Sequence, residues 1–177
     1  YAACPGEEFI TTTQNYLEQL ITTPNTEGKD HYILNEPFSS LNATKILNYF
    51  KAAKSIIVHR DPRDSYCNLI NETSDFFPKN VEHYIKIYRD MQHVSQKNAR
   101  GDKRVLRVNF EDILLKYDET RDTVLNFIGV VNELNTDKFK YFDPKISIKN
   151  YQIWKDYKKQ DEINKIHTEL KEYCYGE

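Results

Sequence analysis

The chain has 177 residues, 39% of them hydrophobic and 29% charged, with a formal net charge of −2 at neutral pH. That length fits a single domain over residues 1–177 with a real hydrophobic core, and the composition excludes a disordered chain. The slight acidic balance excludes nucleic-acid binding by bulk charge, although a local basic pocket for a phosphorylated ligand is compatible with it.

No run approaches the roughly 18 apolar residues needed to span a bilayer, so no membrane segment is expected, and there is no signal-peptide pattern. The chain opens on Tyr1 and not on Met. Its cysteines are Cys4, Cys67 and Cys174. An odd number without close spacing makes neither a disulfide framework nor a metal knuckle, and one disulfide with one free thiol remains open. No metal site is expected. Asn42-Ala43-Thr44 and Asn71-Glu72-Thr73 are glycosylation acceptor patterns, which matter only in a secreted or luminal protein.

In chain order, Phe9–Ile21 has the pattern of a helix and 22–30 is a polar, turn-rich stretch. Tyr32–Asn35 is a short apolar run before Pro37 and reads as a buried strand. Ala43, Ile46, Leu47 and Phe50 form the stripe of an amphipathic helix, with Ser40 or Asn42 to cap it. Ser55–His59, apolar through Ile56-Ile57-Val58, is predicted to be a strand covered on both faces. A helix is predicted to begin near Ser65 with Asp64 as N-cap. Val81, Tyr84, Ile85 and Tyr88 mark a long helix, and Val105–Phe110 a further strand after a turn at Gly101. Asp118–Ile128 reads as a helix closed by Gly129, a residue suited to the left-handed position beyond a helix end. Asp143-Pro144 is expected to break the chain into a loop, and Ile163, Ile166, Leu170 and Tyr173 give a C-terminal helix. Strands alternating with helices predict an α/β fold, a parallel sheet flanked by helices, with ligands at the carboxyl ends of the strands.

That geometry draws attention to Arg60-Asp61-Pro62-Arg63-Asp64. Pro62 restrains Asp61 and forces a sharp turn at the end of the strand. An arginine beside a helix N-terminus suits a phosphate. The alternative is that Arg60 and Arg63 pair with Asp61 and Asp64 to stiffen the turn.

The run KSIIVHRDPRDSYCN at Lys54–Asn68 resembles the 3′-phosphate-binding segment of the sulfotransferase family: a buried strand, an Arg-Asp-Pro-Arg-Asp type of turn, then a helix with a serine eight positions after the arginine. In that family the arginine and the serine hold the 3′-phosphate of 3′-phosphoadenosine 5′-phosphosulfate. Arg60 matches the arginine, and the serine position is Asn68, whose amide can also donate to a phosphate. Asn68 as an ordinary helix-surface residue is the alternative. Val105–Leu114 is similar to the family's V-x-Y-E-D-L strand-to-helix segment, followed as in the family by Phe127-Ile128-Gly129. Glu111 and Asp112 are read as structural, capping the helix and bonding nearby backbone. Ser147–Lys155, SIKNYQIWK, is similar to the family's C-terminal loop, S-x-x-N-x-G-x-W-K, which closes over the cofactor. Ser147, Lys149 and Asn150 are the implied contacts, Gln152 stands at the glycine position, and Trp154 is read as a packing anchor.

Together the resemblances span about residues 31–177. They imply a sulfotransferase with a P-loop-nucleotide-kinase-like fold that uses 3′-phosphoadenosine 5′-phosphosulfate and releases adenosine 3′,5′-bisphosphate. The acceptor would be a hydroxyl or amine, with a carbohydrate or lipid-linked glycan as the leading expectation. A base is needed for that acceptor. Glu36, in a strand-end segment before Pro37, is the candidate, with His31 and His59 as alternatives and a capping or lysine-paired role for Glu36 as the bland reading. Phe76 and Phe77 fit either stacking on an acceptor or packing in the core.

Family members also carry an N-terminal loop of the type P-K-S-G-T-T that cradles the 5′-phosphosulfate. These 177 residues contain no such run. The expectation is therefore an N-terminally truncated piece that is inactive alone, and the alternative function is a non-catalytic module binding a phosphonucleotide or partner proteins. A protein-kinase reading of His59-Arg60-Asp61 fails, because Tyr66 stands where the kinase loop needs Asn. Richness in Lys, Asn, Ile and Tyr is that of an AT-biased genome. A bacterial cytoplasmic enzyme is the expected setting and a secretory lumen the alternative.

Overall fold

A computed structural model describes residues 6–23, 31–35, 39–70, 78–130 and 137–176. They fall into two compact units, one from Tyr1–Ser55 with Val94–Val105 and one from Ile56–His93 with Leu106–Glu177. Among the described residues, no helix is long and apolar enough to cross a membrane.

In the first unit, α1 runs over Gly6–Thr22 and a 3-10 turn at Ser39–Asn42 leads into α2, Ala43–Leu47. Ala43 and Leu47 are buried on the predicted stripe. Asn42 stands at the cap position of α2 but makes no side-chain cap bond. The Gln14 side chain donates to the Asn48 carbonyl at 2.9 Å, and Phe9 meets Tyr49 edge-on at 6.4 Å.

Tyr32–Asn35 is not a strand. The segment has no regular structure, and Ile33 is 95% exposed. A short apolar run has no intrinsic reason to stay extended. It needs a ladder to satisfy its backbone, and among the described residues only two strands pair with one another.

The sheet is formed by β1, Ser55–His59, and β2, Val105–Asn109, which run parallel. A parallel pair needs a helical crossover. It is supplied by α3, Pro62–Leu69, and α4, Val81–Ala99. The fold is thus mixed helix with a small parallel sheet, compatible with the predicted α/β class. The bounds of β1 agree with the prediction, but its coverage does not: Ile57 is buried, whereas Ile56 and Val58 on the opposite face are exposed. Side chains alternate across a strand, and here one face alone is packed.

After β2 come α5, Phe110–Leu115, and α6, Tyr117–Ile128. Gly129 closes α6 in the left-handed conformation at φ 83°, as predicted. Asp143-Pro144 starts a helix and does not open a loop: Asp143 accepts the Lys145 amide, and Pro144 is the first residue of α7, Pro144–Ser147. The final helix, α8, spans Gln160–Glu169, and a 3-10 turn at Lys171–Tyr173 carries Tyr173.

The core of the second unit joins Tyr66 of α3, Val81, Tyr84 and Ile85 of α4, and Ile163, Ile166 and Leu170 at the end of the chain. Cys67 packs against this cluster as a half-buried free thiol. The stripe of α8 and its C-cap residue follows from the spacing, and burying Ile163, Ile166 and Leu170 contributes roughly 1.5–3 kcal/mol each before entropy is counted.

Candidate functional site

The carboxyl end of β1 leads straight into α3. Pro62 cannot donate a backbone hydrogen bond and fixes its own φ, so it sits at the first helical position. The cap is consequently Asp61, with φ −46° and ψ 126°, and not Asp64 as the sequence suggested. The Arg63 amide donates to Asp61 Oδ1 at 2.8 Å. The Arg63 guanidinium also wraps Asp61, with Nε 3.0 Å from Oδ1 and Nη2 2.6 Å from Oδ2. Both residues are buried.

Asp61 is saturated beyond that pair. The Tyr175 amide donates to Asp61 Oδ2 at 3.0 Å, and the Asp61 amide donates to Glu111 Oε1 at 2.9 Å. Tyr84 and Tyr88 of α4 donate their hydroxyls to the carbonyls of Pro62 and Arg60 at 2.6 and 3.0 Å. The turn is therefore held from α4, α5 and the C-terminal tail. The pairing of Arg63 with Asp61 is the stiffening role that the sequence left open. It also fills the start of α3 with a carboxylate, so the helix amides expected to hold a phosphate are not all free to do so.

Arg60 differs. Its Nη2 donates to the Asn150 carbonyl at 2.6 Å and its guanidinium lies over the Phe110 ring at 5.2 Å. Its Nε is buried with no hydrogen-bond partner, and among the described residues no carboxylate forms an ion pair with it. A buried N–H donor without an acceptor is costly, and on a guanidinium the strongest acceptor is an anion.

The C-terminal segment meets the same turn. A 3-10 turn covers Ile148–Asn150, a second covers Ile153–Asp156, and Gln152 between them is left-handed at φ 57°. Gln152 holds the family pattern's glycine position, and the backbone takes the conformation a glycine would favour. Asp64 receives the amides of Gln152 and Trp154 at 2.8 and 3.1 Å. Trp154 lies beneath the Arg63 guanidinium at 4.3 Å, in line with its predicted anchoring role.

Burial pushes the Asp64 carboxyl above its ordinary range, opposed by the Trp154 and Gln152 amides and by Arg60, with Asp61 adding to the rise. Burial likewise raises Glu111, opposed chiefly by the Asp61 amide. The Cys67 thiol is pushed up to about 11 by burial and by Asp64. His59 is lowered to about 4 by burial and by neighbouring Arg107, whose Nη1 contacts the ring Nε2.

Of the predicted site residues, the structure brings Arg60 and Asn150 together, through the Asn150 carbonyl and not its amide. Ser147 ends α7 and Lys149 is exposed beside it. Asn68 is exposed in the last turn of α3, and its side chain makes no hydrogen bond among the described residues. Glu36, Phe76, Phe77 and the Asn71 acceptor pattern lie outside the described residues, and His31 is exposed in the first unit. Sequence reasoning missed Phe110 under Arg60, Tyr175 at Asp61, and the loop-holding role of Asp64. The first was visible only as a strand residue, and the other two had no local signal at all.

The model of the sulfotransferase family matches residues 2–133 of this chain. The match includes the Arg60 turn and the Val105–Leu114 segment, and ends before the Ser147–Lys155 loop. No curated protein and no solved structure matches.

Proposed function

Because the chain belongs to the sulfotransferase family, we propose that Arg60 and the Ser147–Lys155 loop hold the 3′-phosphate end of 3′-phosphoadenosine 5′-phosphosulfate. Sulfuryl transfer in general follows from the family. The observation that supports this donor is the Arg60 guanidinium, partly buried and carrying an Nε with no partner. It stands at the carboxyl end of β1, where parallel sheets place their ligands.

The group fits these residues. Arg60 supplies the charge, Asn68 and the Asn150 side chain supply amide donors, and Ser147 and Lys149 supply a hydroxyl and an ammonium from the loop. Arg63 is already neutralised by Asp61 and takes no part. When bound, the donor supplies the sulfuryl group that passes to an acceptor hydroxyl or amine. Glu36, which stands before Pro37 in the sequence, is the residue we propose as the base that takes the acceptor proton at its carboxylate. The acceptor we favour is a carbohydrate or lipid-linked glycan. The P-K-S-G-T-T type of run that cradles the 5′-phosphosulfate in the family does not occur in these 177 residues. We therefore infer that the chain binds the bisphosphate end and transfers no sulfate by itself.

The test is a thermal-shift titration of the chain with adenosine 3′,5′-bisphosphate. Saturating ligand at about 100 times its Kd raises stability by roughly 2.7 kcal/mol if it binds only the folded state. The expected result is a dose-dependent rise that Arg60→Ala removes. An unchanged melting temperature at millimolar ligand in the unsubstituted chain contradicts the proposal.

A further inference from the structure

We propose that Asp64 is a positioning residue whose carboxylate anchors the Ser147–Lys155 loop and thereby sets the place of Arg60 and the Asn150 carbonyl. The proposal rests on the reading of Arg60 and this loop as a phosphate site, and its structural half is measured without ligand.

An acid in the first turn of a helix ordinarily serves its own helix amides. Asp64 does not, because Asp61 already caps α3. Its two oxygens instead take two amides of a segment 88 and 90 residues away. Asp64 is only 1% exposed, so those amides replace water as its solvation.

The backbone of the loop is shaped for this. Left-handed Gln152 between two 3-10 turns lets the amides of Gln152 and Trp154 converge on one carboxylate, as main-chain amides converge on anions in nests. The anion in this nest is a side chain of the protein. A phosphate held by Arg60 is consequently not the ligand of those amides, and the loop is in place before any ligand arrives. The groups whose charges act at Asp64 are Arg60, Asp61, Cys67 and Glu111. Arg60 donates to the Asn150 carbonyl and Arg63 to Asp61, while the two Asp64 oxygens accept the loop amides.

Trp154 is the chain's single tryptophan, so its emission reports on this loop alone. In the ligand-free chain, Asp64→Ala is expected to shift Trp154 emission to the red and to raise acrylamide quenching by about two-fold or more, while far-UV circular dichroism holds. Bisphosphate affinity should fall by about ten-fold. Asp64→Asn, which keeps an acceptor oxygen, should fall between the two. Hydrogen exchange on the unsubstituted chain covers the case of a variant that does not fold. The Gln152 and Trp154 amides should be protected by at least about ten-fold more than the Ile153 amide between them. Unchanged emission and quenching in Asp64→Ala, or exchange at Gln152 and Trp154 as fast as at Ile153, overturns the anchor. Failure of the unsubstituted chain to bind bisphosphate overturns the phosphate site instead, and leaves these ligand-free readings as they are.

Discussion

Asp64 Oδ2 accepts the Gln152 amide at 2.8 Å, across 88 residues of sequence. This bond, its companion from Trp154 and the Arg60–Asn150 bond tie the turn after β1 to the C-terminal loop at three points. The family match covers only the turn. The loop's place beside the turn therefore rests on these three contacts.

Gln152 occupies a left-handed conformation at φ 57°, which costs a residue with a Cβ roughly 1–2 kcal/mol. Gln152→Gly relieves that strain while keeping the amide that Asp64 accepts. Part of the gain is offset by the greater unfolded-state entropy of glycine. Chemical denaturation should find Gln152→Gly within about 1 kcal/mol of the unsubstituted chain, with Trp154 emission unchanged. Gln152→Val, β-branched at a positive φ, should cost more and should redden the emission.

Glu111 is buried and accepts the Asp61 amide at 2.9 Å. Glu111→Ala strands that amide and should cost about 1–3 kcal/mol in urea denaturation. Glu111→Gln keeps a carbonyl acceptor and sheds the cost of a buried charge, so its loss should be smaller. The sign with pH follows from burial raising the Glu111 carboxyl. A raised acid contributes stability that is present below its unfolded value and lost as pH rises through the folded one. Acidifying from neutrality toward the ordinary carboxylate range should therefore improve the unsubstituted chain relative to Glu111→Gln. A difference that grows the other way contradicts the assignment.

His59 is held near 4 by burial and by Arg107. A depressed histidine contributes stability that is complete above about 6.5 and lost as pH falls toward its folded value. After discounting for its partial exposure, the loss across that window should be about 1–2 kcal/mol, or a few degrees in melting temperature. Melting curves from pH 7 to 4 should show this slope, and His59→Gln should flatten it. An equal slope in the variant would falsify the assignment of that window to His59.

Asp61 carries the cap of α3, the Arg63 pair and the Tyr175 amide together. Asp61→Ala takes the carboxylate away from the buried Arg63 guanidinium, and breaking such a pair typically costs about 3–5 kcal/mol. It should destabilise the chain far more than Arg60→Ala. The second substitution removes a side chain with one hydrogen bond, to a neutral carbonyl. Comparing the two in denaturant separates the arginine paired with Asp61 from the one proposed to bind phosphate. Equal losses contradict that division.

Local chemistry carried much of this fold. The extents of β1 and α6, the Gly129 closure and the α8 stripe at Ile163, Ile166 and Leu170 all followed from periodicity and backbone preference. The failures share a cause: each depended on what lies opposite a residue. Ile56 and Val58 are as apolar as a doubly covered strand requires, but nothing in β1 itself says that one face is left open. Tyr32–Asn35 reads as a strand until its ladder partner is sought. Asp61 and Asp64 are equally good caps, and the choice between them came from Pro62, which sets the helix start one residue after Asp61. Arg60 was legible as a candidate from its place at a strand end, whereas its difference from Arg63 was not. That difference arises from Asp61, which bonds the Arg63 guanidinium, whereas the Arg60 guanidinium donates to the Asn150 carbonyl.

The most direct test of the proposed 3′-phosphate site is calorimetric titration with adenosine 3′,5′-bisphosphate and with adenosine 5′-monophosphate, on the unsubstituted chain and on Arg60→Ala. The unsubstituted chain is expected to prefer the bisphosphate by about ten-fold or more, the scale of one charge-assisted contact, and Arg60→Ala to erase this preference while leaving the monophosphate affinity nearly unchanged. Equal affinity for the two nucleotides in the unsubstituted chain, or a preference that survives in Arg60→Ala, contradicts it.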